Sequence, residues 1–377
     1  MERNDLFAIA CLCFALVGCD EDAGTDAGPM TGTDAGPMTG ADAGPGEDAG
    51  PLDPCAVVDC APGHECVRGA CVTPCGADVS AWDAALAADL TPVQSFCRDA
   101  SAFGTSVDGA ETTVYDLGSA ASATGTDFTL SMWTLAAPTP AEVATVTAAH
   151  DSSVLSFAGG YVVDGGADGV VFGYTLGDFS GGVFHVAMDG TTTEVAAPGN
   201  FDVAHAGDGV FLVNGLGVDG ATATGQGVYA IDVDDAFSAR MVVAMVGSSS
   251  GGIALDADHA LVGGLDDAFA GHVWAVPRAD LDAAIAGGDP VLGGDEVLAD
   301  GTGLPSAFAW IHGGLVSSRY DMDFDLEALQ SHPLMDTEPP SAGAARDLTS
   351  GAAFSGAYPA ADGQMLLRFA GGLLLVE

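Results

Sequence analysis

Val183, Val228 and Val273 fall 45 residues apart twice running, each inside the same kind of short apolar run. The runs are Gly182-Val-Phe-His-Val-Ala-Met-Asp189, Gly227-Val-Tyr-Ala-Ile-Asp232 and His272-Val-Trp-Ala-Val-Pro277. A second set recurs about every 50 residues: Gly159–Val163, Gly209–Val213, His259–Gly263, Gly313–Val316 and Gly371–Leu375. Each run is β-branched or aromatic and is bounded by Gly, Asp and Ser clusters, the pattern of a short strand. A period of 45 to 55 residues built from short strands is that of a β-propeller blade. One four-stranded blade cannot cover both of its faces, whereas blades stacked around an axis bury them and leave only short edges. A helical repeat of this length would show a 3.6-residue pattern, and a pair of β-sandwiches, the competing architecture, would not need the fixed spacing. Residues 105–377 therefore read as an all-β propeller of five to seven blades, with six the preferred count.

Ahead of the repeats the chain changes character three times. Leu6 to Gly18 is an apolar run too short to span a bilayer as a helix but of the length of a secretory h-region. Its N-terminal flank is weak, with Arg3 set against Glu2 and Asp5. The run ends in Leu16-Val-Gly-Cys19, which resembles the lipobox of bacterial lipoproteins. That resemblance implies a signal peptide over 1–18, a palmitate-type acylation of Cys19, and anchorage in a lipid bilayer of the cell envelope. Periplasmic face and cell surface both stay open. Residues 19–53 then carry an eight-residue repeat: Thr25-Asp-Ala-Gly-Pro-Met-Thr-Gly32 returns as Thr33–Gly40 and decays through Ala41–Asp48. Nothing in it can be buried to offset the entropy of ordering, so the segment reads as a disordered tether. As a flexible coil it reaches about 30 Å.

Residues 54–77 are cysteine-rich. Cys55, Cys60, Cys66, Cys71 and Cys75, joined by Cys97, make an even set in an exported chain, which argues for three disulfides. Fifteen pairings are open to six cysteines. A zinc site including His64 is the alternative, although no C-x-x-C pair is present. The spacing C-x4-C-x5-C-x4-C, with Pro62-Gly63 and Arg68-Gly69 at turns, resembles an EGF-like module. The resemblance implies Cys55 with Cys66 and Cys60 with Cys71, leaving Cys75 for Cys97. Over 78–104 the sequence suggests a short helical hairpin. Val79, Trp82, Leu86 and Leu90 mark one apolar face behind a cap at Asp78, and Thr91-Pro92 restarts the pattern. Trp82 is expected to pack against the next domain.

Within the repeats, Ala260-Leu-Val-Gly-Gly264 followed by His272-Val-Trp274 resembles a kelch blade, an apolar strand and Gly pair followed by an aromatic on the next strand. The resemblance covers about one blade and implies a kelch-like propeller. A copper oxidase of that kind would need a Cys cross-linked to Tyr, and no Cys follows Cys97.

The chain has no Lys and eight Arg against 53 acidic residues, a formal charge of −45. From Thr105 onward there are 36 acidic residues and five Arg, so the excess lies on the folded part. Such a surface repels phosphates, which excludes nucleic acid as a partner. A solvated acidic shell or the collection of divalent cations would each account for it. Asp189 and Asp232 follow equivalent strands and suit Asx-turns.

No nucleophile elbow, His-Glu-x-x-His helix or phosphate loop occurs. His205, His259 and His312, 54 and 53 residues apart near the starts of successive modules, are candidates for a metal or ligand ring. Asp321, Asp323 and Asp325 alternate like calcium ligands, but Leu326 stands where a calcium loop has Gly. On these grounds the sequence points to a non-enzymatic binding or scaffold module for a protein or glycan. A hydrolase or lyase with an acidic axial site is the alternative.

Overall fold

The computed structural model describes residues 54–150, 159–175, 181–195, 200–215, 227–234, 239–244, 251–265, 271–300, 309–320, 326–335, 337 and 340–377. Cys19, the tether, Asp321, Asp323 and Asp325 lie outside them.

Six sheets, antiparallel save for the parallel edge pairing of Val291–Leu292 with Ala239–Ala244, form the blades of a six-bladed β-propeller. Their innermost strands are Ala102–Asp108, Gly159–Asp164, Asn200–Gly207, Ile253–Leu255, Ala309–Ile311 and Gly356–Pro359. Each of these touches the next, and the last touches the first, so they close a ring around the axis. The 45-residue repeat marks one place in three successive blades. Gly181–Val186, Gly227–Asp232 and Gly271–Pro277 are the third strands of blades 2, 3 and 4. Val183, Val228 and Val273 are fully buried there, opposite Gly173, Asn214 and Gly263. The 50-residue set is not one place: it falls on a first strand in blade 2, second strands in blades 3 to 5 and a third strand in blade 6.

Aspartate owes part of its abundance to the turns. Asp164, Asp189, Asp232 and Asp256 each accept the backbone N–H two residues on, at 2.7 to 2.9 Å. The shorter side chain makes this Asx-turn and Glu does not, which fits the excess of Asp over Glu.

The helical hairpin expected over 78–104 is half right. Helix α1 (Val79–Ala85) forms, and Asp78 caps it by accepting from Ser80 N at 3.0 Å. Residues Pro92–Cys97 are instead a strand, paired antiparallel with Gly372–Val376 as the outermost strand of blade 6. Gly372–Val376 would otherwise present an open edge, and pairing it outweighs the weak local preference of a six-residue segment. Thr91 and Glu377 extend the pairing by exchanging backbone bonds at 3.0 Å. The propeller therefore includes residues placed in the linker, and its first blade begins at Ala102.

Three disulfides join Cys55 to Cys66, Cys60 to Cys71 and Cys75 to Cys97, the pairing implied by the EGF-like spacing. The module has little core of its own. Val67, Val72, Val79, Trp82, Leu86 and Leu90 share one cluster with Leu329, Phe354, Leu367, Phe369 and Leu374 of blades 5 and 6. Trp82 packs on the next domain as expected, 4.5 Å from the Phe369 ring and 6.0 Å from Phe354. Gly371 (φ +96) is required at the seam, because a Cβ there would stand 2.5 Å from the Cys75 carbonyl oxygen.

Arg68 locks α1 onto the module. Its guanidinium donates to the carbonyls of Asp83, Leu86 and Leu90 at 2.7 to 2.9 Å, to that of Ala87, and to the Asp83 carboxylate at 2.8 Å. A cation at a helix C-terminus satisfies orphan carbonyls and meets the negative end of the dipole. We expect Arg68→Ala to cost about 2–3 kcal/mol in urea denaturation. Arg68→Lys should recover less than half, because one ammonium cannot fork to several carbonyls; full recovery by Lys would refute the fork.

Helix α2 (Arg278–Ile285) leaves blade 4 after its third strand, a short element that the strand pattern does not announce. Leu281 and Ala284 bury in the core between blades 3 and 4, and Arg240 donates to the α2 carbonyls of Ala284 and Ile285.

Candidate functional site

The ends of four successive inner strands line an open cavity of about 340 Å³ at the axis. Blade 2 contributes Val163 and Asp164, blade 3 Val203, Ala204 and His205, blade 4 Ile253, Ala254 and Leu255, and blade 5 Ala309 and Trp310. Among the described residues the lining side chains are aliphatic apart from Asp164, His205 and the indole of Trp310. All three of these side chains are half-buried.

Asp164 ends its strand and is fixed from two sides. It accepts the Gly166 N–H at 2.9 Å and the Tyr115 hydroxyl of blade 1. Burial, reinforced by the Asp164 charge, pushes the Tyr115 phenol well above its usual range, so it stays protonated as the donor. His205 is fixed by Asp168, from the turn between the first two strands of blade 2. Asp168 Oδ2 accepts from His205 Nε2 and from Gly209 N, both at 2.9 Å, and its carbonyl accepts from His185 Nε2 at 2.7 Å. The Gly209 N–H, followed by His205, holds the Asp168 carboxyl below the ordinary carboxylate range. A carboxylate cannot donate, so His205 Nε2 carries a proton. The His205 ring also lies 4.9 Å from Phe211.

Asp202 stands in the wall beside this cavity. Its oxygens accept the backbone N–H groups of Val203 and Ile253, both lining residues, at 2.9 Å. Burial pushes its carboxyl up to about 7 against those two bonds, which pull the other way. Tyr358, on the inner strand of blade 6 across the ring, lies within range of its charge.

The three histidines singled out by their spacing do not form a ring. His205 is on an inner strand, His259 opens a second strand, and His312 (φ +51) sits in the turn between first and second strands. Equal spacing in sequence is not equal place in the blade. From blade 3 to blade 4 the repeat is 45 residues, so a step of 54 moves nine residues along the blade. His259 lies 3.6 Å from Asp256, and His312 bonds the Gln364 carbonyl at 3.1 Å. Among the described residues no group of three His, Cys, Asp or Glu is placed to hold a metal ion. Of the histidine candidates, only His205 reaches the cavity. Sequence reasoning missed Asp164, Asp168, Asp202 and Trp310; the one signal for them is an Asp or Trp beside an apolar strand and a Gly-rich turn.

The basic residues are committed elsewhere. Arg98 lies over the Trp133 ring at 4.8 Å and 3.4 Å from Asp116, Arg278 and Arg319 pair with Asp282 and Glu327, and Arg346 pairs with Asp89. Arg368 bonds the Ser101 carbonyl and faces Phe103. With Arg68 and Arg240 on helix carbonyls, every described arginine has a structural partner.

No protein-family model matches the chain, and no curated protein matches it in sequence. Among solved structures it is similar to the BP39L lectin from Burkholderia pseudomallei, with 13% identity and a TM-score of 0.42 over 73% of this chain and 79% of that one. It is also similar to AofleA from Arthrobotrys oligospora, with 9% identity and a TM-score of 0.41 over 76% and 84%. A third is a Trypanosoma rangeli sialidase mutant displaying trans-sialidase activity, with 11% identity and a TM-score of 0.40 over 77% and 59%. Likeness at this level carries no ligand or activity across.

Proposed function

We propose that this is a non-enzymatic binding protein, lipid-anchored at the cell envelope through Cys19, whose axial cavity receives a saccharide. The observation that carries the reading is the meeting, in one cavity, of an aromatic ring with two hydrogen-bonding side chains that are already immobilised. Trp310 offers an apolar face to a sugar ring, and Asp164 and His205 offer polar groups whose positions are set by Tyr115, Gly166 and Asp168. Preorganised polar groups on rigid strands lower the ordering cost of binding.

One observation favours the hydrolytic alternative: Asp168 orients His205 in the way a catalytic base is oriented. Against it, Asp202 spends both carboxylate oxygens on the main chain, so among the described residues no freely placed pair of carboxylates faces the cavity.

The test is titration of the full chain with a saccharide panel, followed by Trp fluorescence and calorimetry. Trp310→Ala is expected to weaken the best binder at least tenfold. Unchanged affinity would remove the cavity from the site, and turnover of the bound sugar would replace binding by catalysis. For the anchor, palmitate labelling is expected in the wild type and absent in Cys19→Ala; equal labelling would overturn it.

A further inference from the structure

We propose that the axial cavity selects a sugar bearing a protonated amine over neutral or acidic sugars. This rests on the saccharide reading above and adds the charge of the ligand. Among the described residues Asp164 is the one carboxylate lining the cavity. A carboxylate offers about four lone-pair sites, and the Gly166 N–H and the Tyr115 hydroxyl occupy two, which leaves room for a charged donor. An ammonium donates and cannot accept, so it fits that remaining capacity better than a neutral hydroxyl does.

Trp310 supplies the second element, because the face of an indole attracts a cation. The third is a want of competing cations. Among the described residues no Arg lines the cavity and each Arg is held in a structural contact, while the chain has no Lys. An acidic sugar entering here would meet the Asp164 carboxylate with no Arg or Lys to receive it. Asp168, held ionised and bonded to the lining His205, adds a further negative charge one side chain away. The formal charge of −45 extends the same bias outward, since a field of one sign concentrates oppositely charged ligands at the surface.

The experiment is calorimetric titration of the full chain at pH 6 to 7 with D-glucosamine, D-glucose and D-glucuronate. Glucosamine is expected to bind at least tenfold more tightly than glucose, and glucuronate more weakly than either. Asp164→Asn should bring glucosamine down to the level of glucose. As a check that does not depend on the variant folding, raising the pH to about 10, where an amine with a pKa near 8 has lost its proton, should abolish the preference in the wild type. Equal binding of glucosamine and glucose would overturn the amine inference and leave the saccharide reading standing. Binding of none of the three would overturn both. Tighter binding of glucuronate would overturn the charge argument alone.

Discussion

Trp82→Ala is expected to destabilise the folded chain by about 3–5 kcal/mol, the range for emptying a large aromatic site in a core. The side chain is 1% exposed and touches Phe354 and Phe369 of the propeller, so its removal opens a cavity between α1 and the last blade. The surrounding shell cannot collapse to fill it. Arg68 pins the end of α1, and the Cys75–Cys97 disulfide fixes the other side of the module. Urea denaturation at unchanged m-value is the measurement, and Trp82→Phe should recover a substantial part of the loss. A cost below about 1 kcal/mol would mean that the module is an appendage and not part of the propeller core.

The second large effect is a dependence on pH carried by Asp202. Its folded carboxyl titrates at about 7, against an ordinary value of 3.8. Between those values the unfolded chain has released a proton that the folded chain still holds. Stability from this group is therefore complete below about pH 4 and falls as pH rises, until it is lost above about pH 7. A tenfold difference in proton affinity between the folded and unfolded chain corresponds to about 1.4 kcal/mol, so the span is on the order of 4 kcal/mol. The other carboxylates dominate the absolute profile, so the comparison to make is Asp202→Asn with the wild type. Asn does not titrate, and it forfeits one backbone acceptor by an amount that does not vary with pH. From pH 5 to pH 8 the variant should gain about 2–3 kcal/mol on the wild type. Parallel profiles would show that Asp202 is ionised throughout and that channel water solvates it.

The propeller was legible because a blade is written along the chain at fixed spacing, and Val183, Val228 and Val273 keep one structural place. The closing strand was not. Pro92–Cys97 is a strand only because Gly372–Val376, at the far end of the chain, lacks a partner, and no local pattern records that. The cavity was illegible for a related reason. Asp164, His205 and Trp310 come from three blades, and nothing in their sequence neighbourhoods distinguishes them from turn aspartates or core aromatics. His205 was found through an argument about spacing that failed for His259 and His312, since it compared different places in blades of different length.

The Cys75–Cys97 disulfide also decides where a mechanical load travels. Tension applied upstream of residue 54 passes down the chain to Cys75 and crosses directly to Cys97. Residues 76–96, which hold α1 and most of the closing strand, are bypassed and carry none of it. Without that bridge the same pull would enter at Thr91 and peel the strand from Glu377 toward Gly372, one bond at a time. With it, the force bears on covalent bonds at the far end of the seam, and the ring stays shut under a pull from the N-terminal side.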